Sequence, residues 1–517
     1  MQQKVVYIST WGNPSSWDEA IYVKEKEDKT ESSDIKVKSF TSLATYDKYD
    51  KLILIVQDSI LAPQGWNGTE YRNKDVDACI KQLNNNGQLI EKILNLQKYE
   101  DYLKVVNEYV SCLIRRTIKN EEDSKKVKVI IVPGIGKFSG CLMGTKVTCD
   151  CGLEGNKKKY ISLLYIESLL AYDIYNEIND LNKGDTVILD ITHGINYLPS
   201  LTLEVVKELA SLLNLEMKVI EYIPTDRTQR PYNIYTYKEF TPLSNTKFDI
   251  TKIRVGSITN NHVKALILSL QMGAILPILY ICKKFKGGGT KYDEIFKNET
   301  QILNNSQNNN LNINFSIIAN PNSILNNSDI VWGDIIFDYV CKKVMNIKED
   351  QDSFYSLDDI RSIVNSLSNF FSETTIITIL SELWKIEKLE LKEGEEKMYF
   401  DAYQEKRTKG SAKRKEKPRC IPDSDRINAE RSKENEEIEN HPNRRNFIAH
   451  AGFLKEIVKV KKQNGKLFVK YSLEEGEKCY QVLKDIYGPD IGQLLIDLIN
   501  SNKQTQPQGI NSSPQPK

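Results

Sequence analysis

Thr186-Val-Ile-Leu-Asp190-Ile-Thr192-His193-Gly194-Ile-Asn196 carries a short apolar run into a polar, glycine-bearing loop, and apolar residues at helical spacing follow from Leu201 to Leu213. A buried strand, a tight loop and a helix in that order make the repeating unit of a sheet with helices on its faces. Such sheets present ligand-binding groups at the carboxyl ends of their strands. The pattern recurs through the first 240 residues. Val5 to Ile8, Leu52 to Val56, Val127 to Val132 and Lys218 to Tyr222 are further short apolar runs, and Leu163 to Leu181 has helical spacing. The predicted class of residues 1–240 is α/β, Rossmann-like.

Two strand ends draw attention. In the loop after Asp190, Gly194 permits close approach of the backbone, Thr192, His193 and Asn196 offer polar groups, and the helix beginning near Pro199 offers backbone N–H groups to a phosphate. The first strand ends likewise in Ser9-Thr10-Trp11-Gly12-Asn13, and both loops are expected on one sheet edge. A third loop, Gly134-Ile-Gly-Lys-Phe-Ser-Gly140, imitates a dinucleotide fingerprint. Ser139 breaks its spacing and no acidic residue ends the expected next strand, so a nicotinamide cofactor is not expected.

With 517 residues the chain exceeds one compact core, and 71 Lys and Arg nearly cancel 70 Asp and Glu. No global field recruits nucleic acid, so any such contact needs a local patch. The nine cysteines include no close pair except Cys149 and Cys151, which reads as free thiols in a reducing compartment, the cytoplasm. Ala265 to Cys282 is uncharged over about 27 Å of helix, but Gln271, Gly273 and Pro277 interrupt it, which predicts a buried core helix rather than a membrane span. His193, His262, His441 and His450 lack ligand spacing, so neither metal nor cofactor is expected.

Past residue 240 helical patterns dominate, Asp334 to Val344 among them. Residues 241–395 read as a helical connector. Its Asn-rich stretch 302–327 is too polar to fold alone and is expected as a surface excursion. Residues 406–419 hold eight Lys or Arg, either a solvated linker or a contact to phosphates, and the tail 501–517 is expected to be disordered.

The third unit, 396–500, carries His441-Pro-Asn-Arg-Arg445-Asn446-Phe-Ile-Ala-His450-Ala-Gly, read as a helix with Asn443 as N-cap and Phe447, Ala451 and Leu454 on its apolar stripe. Cutting RNA without a metal needs a base for the 2′-hydroxyl, an acid for the 5′-oxygen and a cation for the phosphorane. Histidine and arginine supply these. Five helical residues turn about 500°, so Arg445 and His450 of one copy diverge, and a twofold pairing of two copies would gather two of each in one cleft. Downstream, Asn464-Gly465 marks the turn of a hairpin from Ile457 to Tyr471. Taken alone the Arg-x4-His spacing is weak, since a solvated arginine and a core histidine would look the same.

Arg445-Asn-Phe-Ile-Ala-His450 resembles the R-x4-H motif of HEPN ribonucleases, and Asp190, Thr192 and Gly194 with the Ser9-Thr10 loop resemble a CARF domain. Together they resemble the CARF-HEPN accessory ribonucleases of type III CRISPR systems, the Csx family, over essentially the whole chain. The resemblance implies an α/β CARF sensor and an all-α HEPN domain carrying a small β-hairpin. It implies a homodimer, or an assembly of dimers, that binds a cyclic oligoadenylate, most often the tetra-adenylate, and then cleaves single-stranded RNA without metal. Arg445, His450 and Asn446 become the expected catalytic residues, and Ser9, Thr10, Trp11, Asn13, Gly134, Thr192, His193, Gly194 and Asn196 the expected activator contacts. Two rivals stay open. One is a ligand-responsive CARF transcription regulator that binds duplex DNA with the C-terminal motif inert, and the other an unregulated HEPN toxin.

Overall fold

The computed structural model describes residues 3–24, 35–61, 73–84, 88–96, 98–142, 145–151, 153–154, 158–159, 162–193, 197–226, 233–241, 247–284, 291–304, 312–320, 322–345, 347, 354–408, 447–455, 457–473 and 477–501. They form two compact units. The first comprises Met1–Thr246 with Thr290–Trp332, and the second Lys247–Gly289 with Gly333–Lys517.

The first unit is built on strands β1 (Val5–Trp11), β2 (Ala20–Lys24), β3 (Ile35–Ser39), β4 (Lys51–Gln57), β5 (Val127–Val132), β6 (Gly136–Leu142), β7 (Thr145–Cys151), β8 (Leu153–Glu154), β9 (Lys158–Lys159), β10 (Thr186–Asp190), β11 (Glu216–Asp226), β12 (Asn233–Phe240), β13 (Thr300–Asn304) and β14 (Asn312–Ala319). Eight of them make one sheet in the order β3-β2-β12-β11-β10-β1-β4-β5. The five expected strands are its parallel run, β11-β10-β1-β4-β5. Their near-continuous apolar runs suit strands covered on both faces, and Leu52 to Val56 are fully buried. From β1 the chain moves to β4 and β5 on one side and then returns to β10 on the other. The strand order therefore reverses between β1 and β10, the place where such sheets open a ligand crevice. Ser9 stands opposite Asp190 in the ladder, which brings the two polar loops together.

Strands β2, β3 and β12 extend the sheet beyond β11, with β12 antiparallel to β11 and β2 antiparallel to β3. They mix lysines and tyrosines with aliphatics, so no apolar run announces them.

Two expectations change here. Gly134 to Gly140 is mostly strand rather than loop, because β6 pairs antiparallel with β7. The Asn-rich stretch is not an unpaired excursion either: β13 and β14 complete a second sheet, β13-β14-β7-β6, and Ile317 and Ala319 are buried in it. Its apolar residues find their partner some 165 positions earlier, at Asn312↔Lys146 through Ile317↔Cys151, a pairing that local composition cannot disclose.

In the second unit the uncharged segment becomes two buried helices, Asn261–Gln271 and Ile275–Lys284, broken where Gly273 takes φ of +66°. Among the described residues no helix is long and apolar enough to cross a membrane. Helix Pro489–Ser501 packs on both of them and on Glu477–Tyr487, and Leu357–Ser366 packs against Glu373–Glu387. Strands β15 (Tyr355–Ser356), β16 (Glu396–Met398), β17 (Val458–Gln463) and β18 (Lys466–Tyr471) form a sheet in the order β15-β18-β17-β16. The expected hairpin is β17–β18, and Asn464 (φ 52°) and Gly465 (φ 73°) take the two left-handed positions of its turn.

The free-thiol reading fails for four cysteines. Cys79–Cys112 and Cys282–Cys341 are disulfides with Cα separations of 5.8 and 4.9 Å. Each joins two helices that lie 33 or 59 residues apart in sequence, so spacing gave no hint of either.

Candidate functional site

At the carboxyl edge of the first sheet, Asp190 is buried and holds three donors. Its Oδ1 accepts the Thr192 N–H at 2.7 Å, and its Oδ2 accepts the hydroxyls of Ser42 at 2.6 Å and Tyr46 at 2.5 Å. Thr192 Oγ1 in turn accepts the Tyr222 N–H at 2.9 Å, and the Thr10 hydroxyl donates to the His193 carbonyl at 2.6 Å. The two threonines thus fasten the loop to β1 and β11 as well as lining it. Hydroxyls in such local bonds shape a turn that the backbone alone would not hold.

His193 is the centre of this edge. Its ring stacks on Trp17 with centroids 4.3 Å apart, and its Nε2 lies 3.1 Å from the Tyr22 hydroxyl. Burial lowers the imidazole from 6.5 to about 4, against the opposing pull of Asp190, so it is neutral at physiological pH. Trp11 is buried edge-to-face against Trp17 at 5.7 Å. Asn13 Oδ1 accepts from the N–H and hydroxyl of Ser15, capping the turn Pro14–Ser16. Ser9 is buried on β1 beside Asp190.

The edge therefore gathers Ser9, Thr10, Trp11, Asn13, Thr192 and His193. Gly194 and Asn196 lie outside the described residues. Gly134 belongs to a neighbouring position, after β5, where its N–H donates to Asp58 Oδ1 at 2.8 Å. A Cβ at Gly134 would stand 3.0 Å from the Phe138 ring. Burial pushes Asp58 up to about 6 in spite of its bonds from Tyr99 and Gly134. Sequence reasoning missed Trp17, Tyr22, Ser42 and Tyr46, which arrive from segments outside the motif.

In the second unit the catalytic candidate His450 closes a helix. Ala451 N–H donates to Ile448 O at 3.0 Å and Gly452 N–H to Phe447 O at 2.9 Å, with φ of 49° and 81° at the two donors. This is a Schellman stop. It corrects the expected stripe: Phe447, Ala451 and Leu454 are all buried, but the helix ends at His450 instead of running through them. The turn is tightly mounted. Tyr471 donates its hydroxyl to the Gly452 carbonyl at 2.8 Å, its own N–H donates to the Tyr280 hydroxyl at 2.9 Å, and the two rings stack at 5.7 Å. A Cβ on Gly452 would sit 3.1 Å from that Tyr471 oxygen.

The mount points His450 at a carboxylate. Its Nδ1 lies 3.1 Å from Glu382 Oε1 on the helix Glu373–Glu387, and Lys385 reaches the same oxygen at 2.6 Å. Glu382 is 1% exposed, whereas the His450 side chain is 35% exposed. Burial raises the Glu382 carboxyl, but the bonds from His450 and Lys385 outweigh it and hold the group below the usual carboxylate range. A buried carboxylate behind a partly exposed imidazole fixes the ring's orientation, an arrangement that acid–base chemistry can use. Arg445, Asn446 and the proposed cap Asn443 lie outside the described residues. Glu382 was missed because it is one of 70 acidic residues and stands 68 positions before His450. Among the described residues no three His, Cys, Asp or Glu side chains gather as a metal-binding group.

A family model described as "CRISPR system endoribonuclease Csx1, CARF domain" matches residues 6–235, and one described as "CRISPR system endoribonuclease Csx1, HEPN domain" matches residues 372–475. The chain is a CRISPR-associated CARF-HEPN protein. The eight-stranded, mostly parallel sheet is its CARF domain, and the helical C-terminal region with the β17–β18 hairpin, Glu382 and His450 is its HEPN region. The chain is also 27% identical over 223 residues to the "CRISPR system endoribonuclease Csx1" of Methanocaldococcus jannaschii, covering 42% of this chain. The match spans 35% of that relative's length.

Proposed function

We propose that this CARF-HEPN protein is an endoribonuclease of type III CRISPR antiviral defence that cuts single-stranded RNA without a metal ion when a cyclic oligoadenylate, the tetra-adenylate foremost, binds its CARF domain. The observation that carries this reading is the His450–Glu382 pair, a half-exposed imidazole backed by a buried carboxylate at 3.1 Å. Its imidazole exchanges the proton of the 2′-hydroxyl or of the leaving 5′-oxygen. Arg445 stabilises the phosphorane charge, and Asn446 supports it.

The reading also calls for a homodimer. Ile377, Leu380 and Trp384 form a stripe on the helix that carries Glu382, and they are 66%, 38% and 57% exposed. Ile448, two residues before His450, is 43% exposed as well. Large apolar side chains clustered on a surface favour association. A second copy across a twofold axis would bury the stripe and bring two sets of Arg445 and His450 into one cleft. The sensor loops after β1 and β10, at the strand-order reversal, take the activator, and its binding shifts the dimer toward the cleaving state.

The test is cleavage of a labelled single-stranded RNA in EDTA, with and without cyclic tetra-adenylate, for the wild type, His450→Ala and Trp384→Glu. Activation that disappears in His450→Ala, with Trp384→Glu monomeric by light scattering and inactive, supports the reading. Duplex DNA binding that survives His450→Ala, with no RNA cut under any activator, would favour the transcription regulator.

A further inference from the structure

We propose that the edge strand β5 of the CARF sheet pairs antiparallel with β5 of a second copy of this chain, a contact separate from the apolar stripe on the helix Glu373–Glu387 and independent of the ribonuclease reading. β5 ends the order of the eight-stranded sheet, so one side of it meets β4 and the other meets no strand. Its ladder fixes which backbone groups face out. The Leu52 N–H donates to the Lys126 carbonyl at 3.1 Å, and in a parallel pair only every second residue bonds to the facing strand. Residues 126, 128, 130 and 132 therefore face β4, while Val127, Val129 and Ile131 turn their N–H and C=O groups outward. Among the described residues these outward groups have no hydrogen-bond partner.

The edge is unprotected. Natural sheets blunt an open edge with charges, proline or a bulge, and the opposite edge of this sheet does so, since β3 carries the exposed Lys36 and Lys38. β5 reads Val-Lys-Val-Ile-Ile-Val, five β-branched apolar residues and one lysine, in unbroken register with β4. Val127, Val129 and Ile131 are each partly exposed. Open space runs beside them: a cavity of about 480 Å³ borders residues 127–129, and one of about 530 Å³ borders residues 129–131.

Charge selects the occupant. In the cavity at the start of β5, Glu121 pairs with Lys125 at 3.4 Å, whereas the exposed Arg115 and Lys128 have no ion pair or hydrogen bond among the described residues. In the cavity at its end, Lys104 and Lys297 pair with Glu100 and Asp293, and Glu177 pairs with Lys51, which leaves Asp173 without such a partner. Burial, and next the charge of Asp293, pushes the Asp173 carboxyl up to about 7, and an arriving cation would draw it back down. Unmatched cations thus border one end of the strand and an unmatched acid the other. Antiparallel pairing about a twofold axis sets the start of each strand beside the end of the other, so Arg115 and Lys128 of each copy approach the partner's Asp173. A parallel pairing would set like on like. The outward residues also fix the register: Val129 meets its own copy and Val127 meets Ile131, which satisfies every outward N–H and C=O on both strands.

One strand pair is a small contact of the transient class, so the measurement traps it covalently. Full-length Val129→Cys and Lys128→Cys are oxidised with copper phenanthroline, and the intermolecular disulfide at each position is quantified on non-reducing gels and by peptide mass spectrometry, with the wild type as background. Position 129 is expected to cross-link about tenfold more than position 128, because directly opposed residues stand about 5.5 Å apart at Cα, whereas position 128 faces 130 and its own copy lies beyond disulfide reach. Adding Ile131→Pro to Val129→Cys removes an outward N–H, leaves the bonds to β4 whole and is expected to lower the yield about tenfold. Adding Arg115→Glu and Lys128→Glu instead is expected to lower it about fivefold at low salt, with the gap closing as salt rises. A yield at 129 no higher than the wild-type background, or equal yields at 128 and 129, overturns the pairing. So does a yield that survives Ile131→Pro in a protein that melts like its parent, or one that the charge reversal leaves unchanged at low salt.

Discussion

Each domain of this protein sets a histidine near a buried carboxylate, and the two settings differ in what else reaches the carboxylate. In the CARF domain Asp190 is occupied by two hydroxyls and a backbone N–H, while His193 is packed between Trp17 and Tyr22 and kept neutral. In the HEPN region Glu382 takes the imidazole itself at 3.1 Å, and His450 keeps a third of its side chain in solvent. The first arrangement is a packed wall. The second leaves a ring that is held from behind and partly open in front, which is what the proposed ribonuclease function asks of a proton-transferring group. What reaches the ring separates the two settings, aromatic packing and a tyrosine hydroxyl on His193 against a buried acid on His450.

That contrast can be broken most directly by exchanging the histidines for inert residues. His450→Ala is expected to lower RNA cleavage by about 10²- to 10⁴-fold, the usual contribution of one acid–base group. His193→Phe is expected to raise the activator concentration needed and leave the maximal rate as it was. Equal loss of maximal rate in both variants would show that the two histidines do the same work. Glu382→Gln sharpens the comparison: kcat is expected to fall by about 10- to 100-fold with little change in KM, because the group orients His450 without touching RNA. A raised KM at unchanged kcat would place Glu382 in binding instead.

The mount comes next in size. Gly452→Ala should destabilise the HEPN region by about 1–3 kcal/mol, through a left-handed backbone and a Cβ pressed against Tyr471, and thermal melting measures it. Smallest is a pH effect. His193 titrates near 4 when folded and near 6.5 when unfolded, so between these values the unfolded chain holds the extra proton. The contribution to stability is therefore complete above about 6.5 and lost as pH falls toward 4, by at most about 1.4 kcal/mol per pH unit. Asp58, raised to about 6, acts in the opposite direction, favouring the folded state as pH falls. The difference between wild type and His193→Phe isolates the histidine. CARF melting in the variant should depend less on pH across that window, and parallel curves would refute it.

Much of this molecule is legible in its sequence, for reasons that are local. Buried parallel strands need continuous apolar runs, so β1, β4, β5, β10 and β11 declare themselves, and the Asn464-Gly465 pair announces a hairpin because few other residues accept its backbone. The Thr10 and Thr192 loops follow from strand ends alone. Less legible was the stop at His450, where apolar residues at 447, 451 and 454 argued for a longer helix than Gly452 allows.

What the sequence determined by itself, then, is the periodicity of its elements, the strand-end loops and the Arg-x4-His spacing, each a property of residues within a few positions of one another. Only the tertiary structure decided that β14 pairs with β7, that Cys79 meets Cys112, that Trp17 and Tyr22 enclose His193, and that Glu382 stands behind His450. Those are meetings of residues far apart in the chain. The burial of the whole core selects them, because no local propensity distinguishes one lysine, cysteine or glutamate from the many others of its kind.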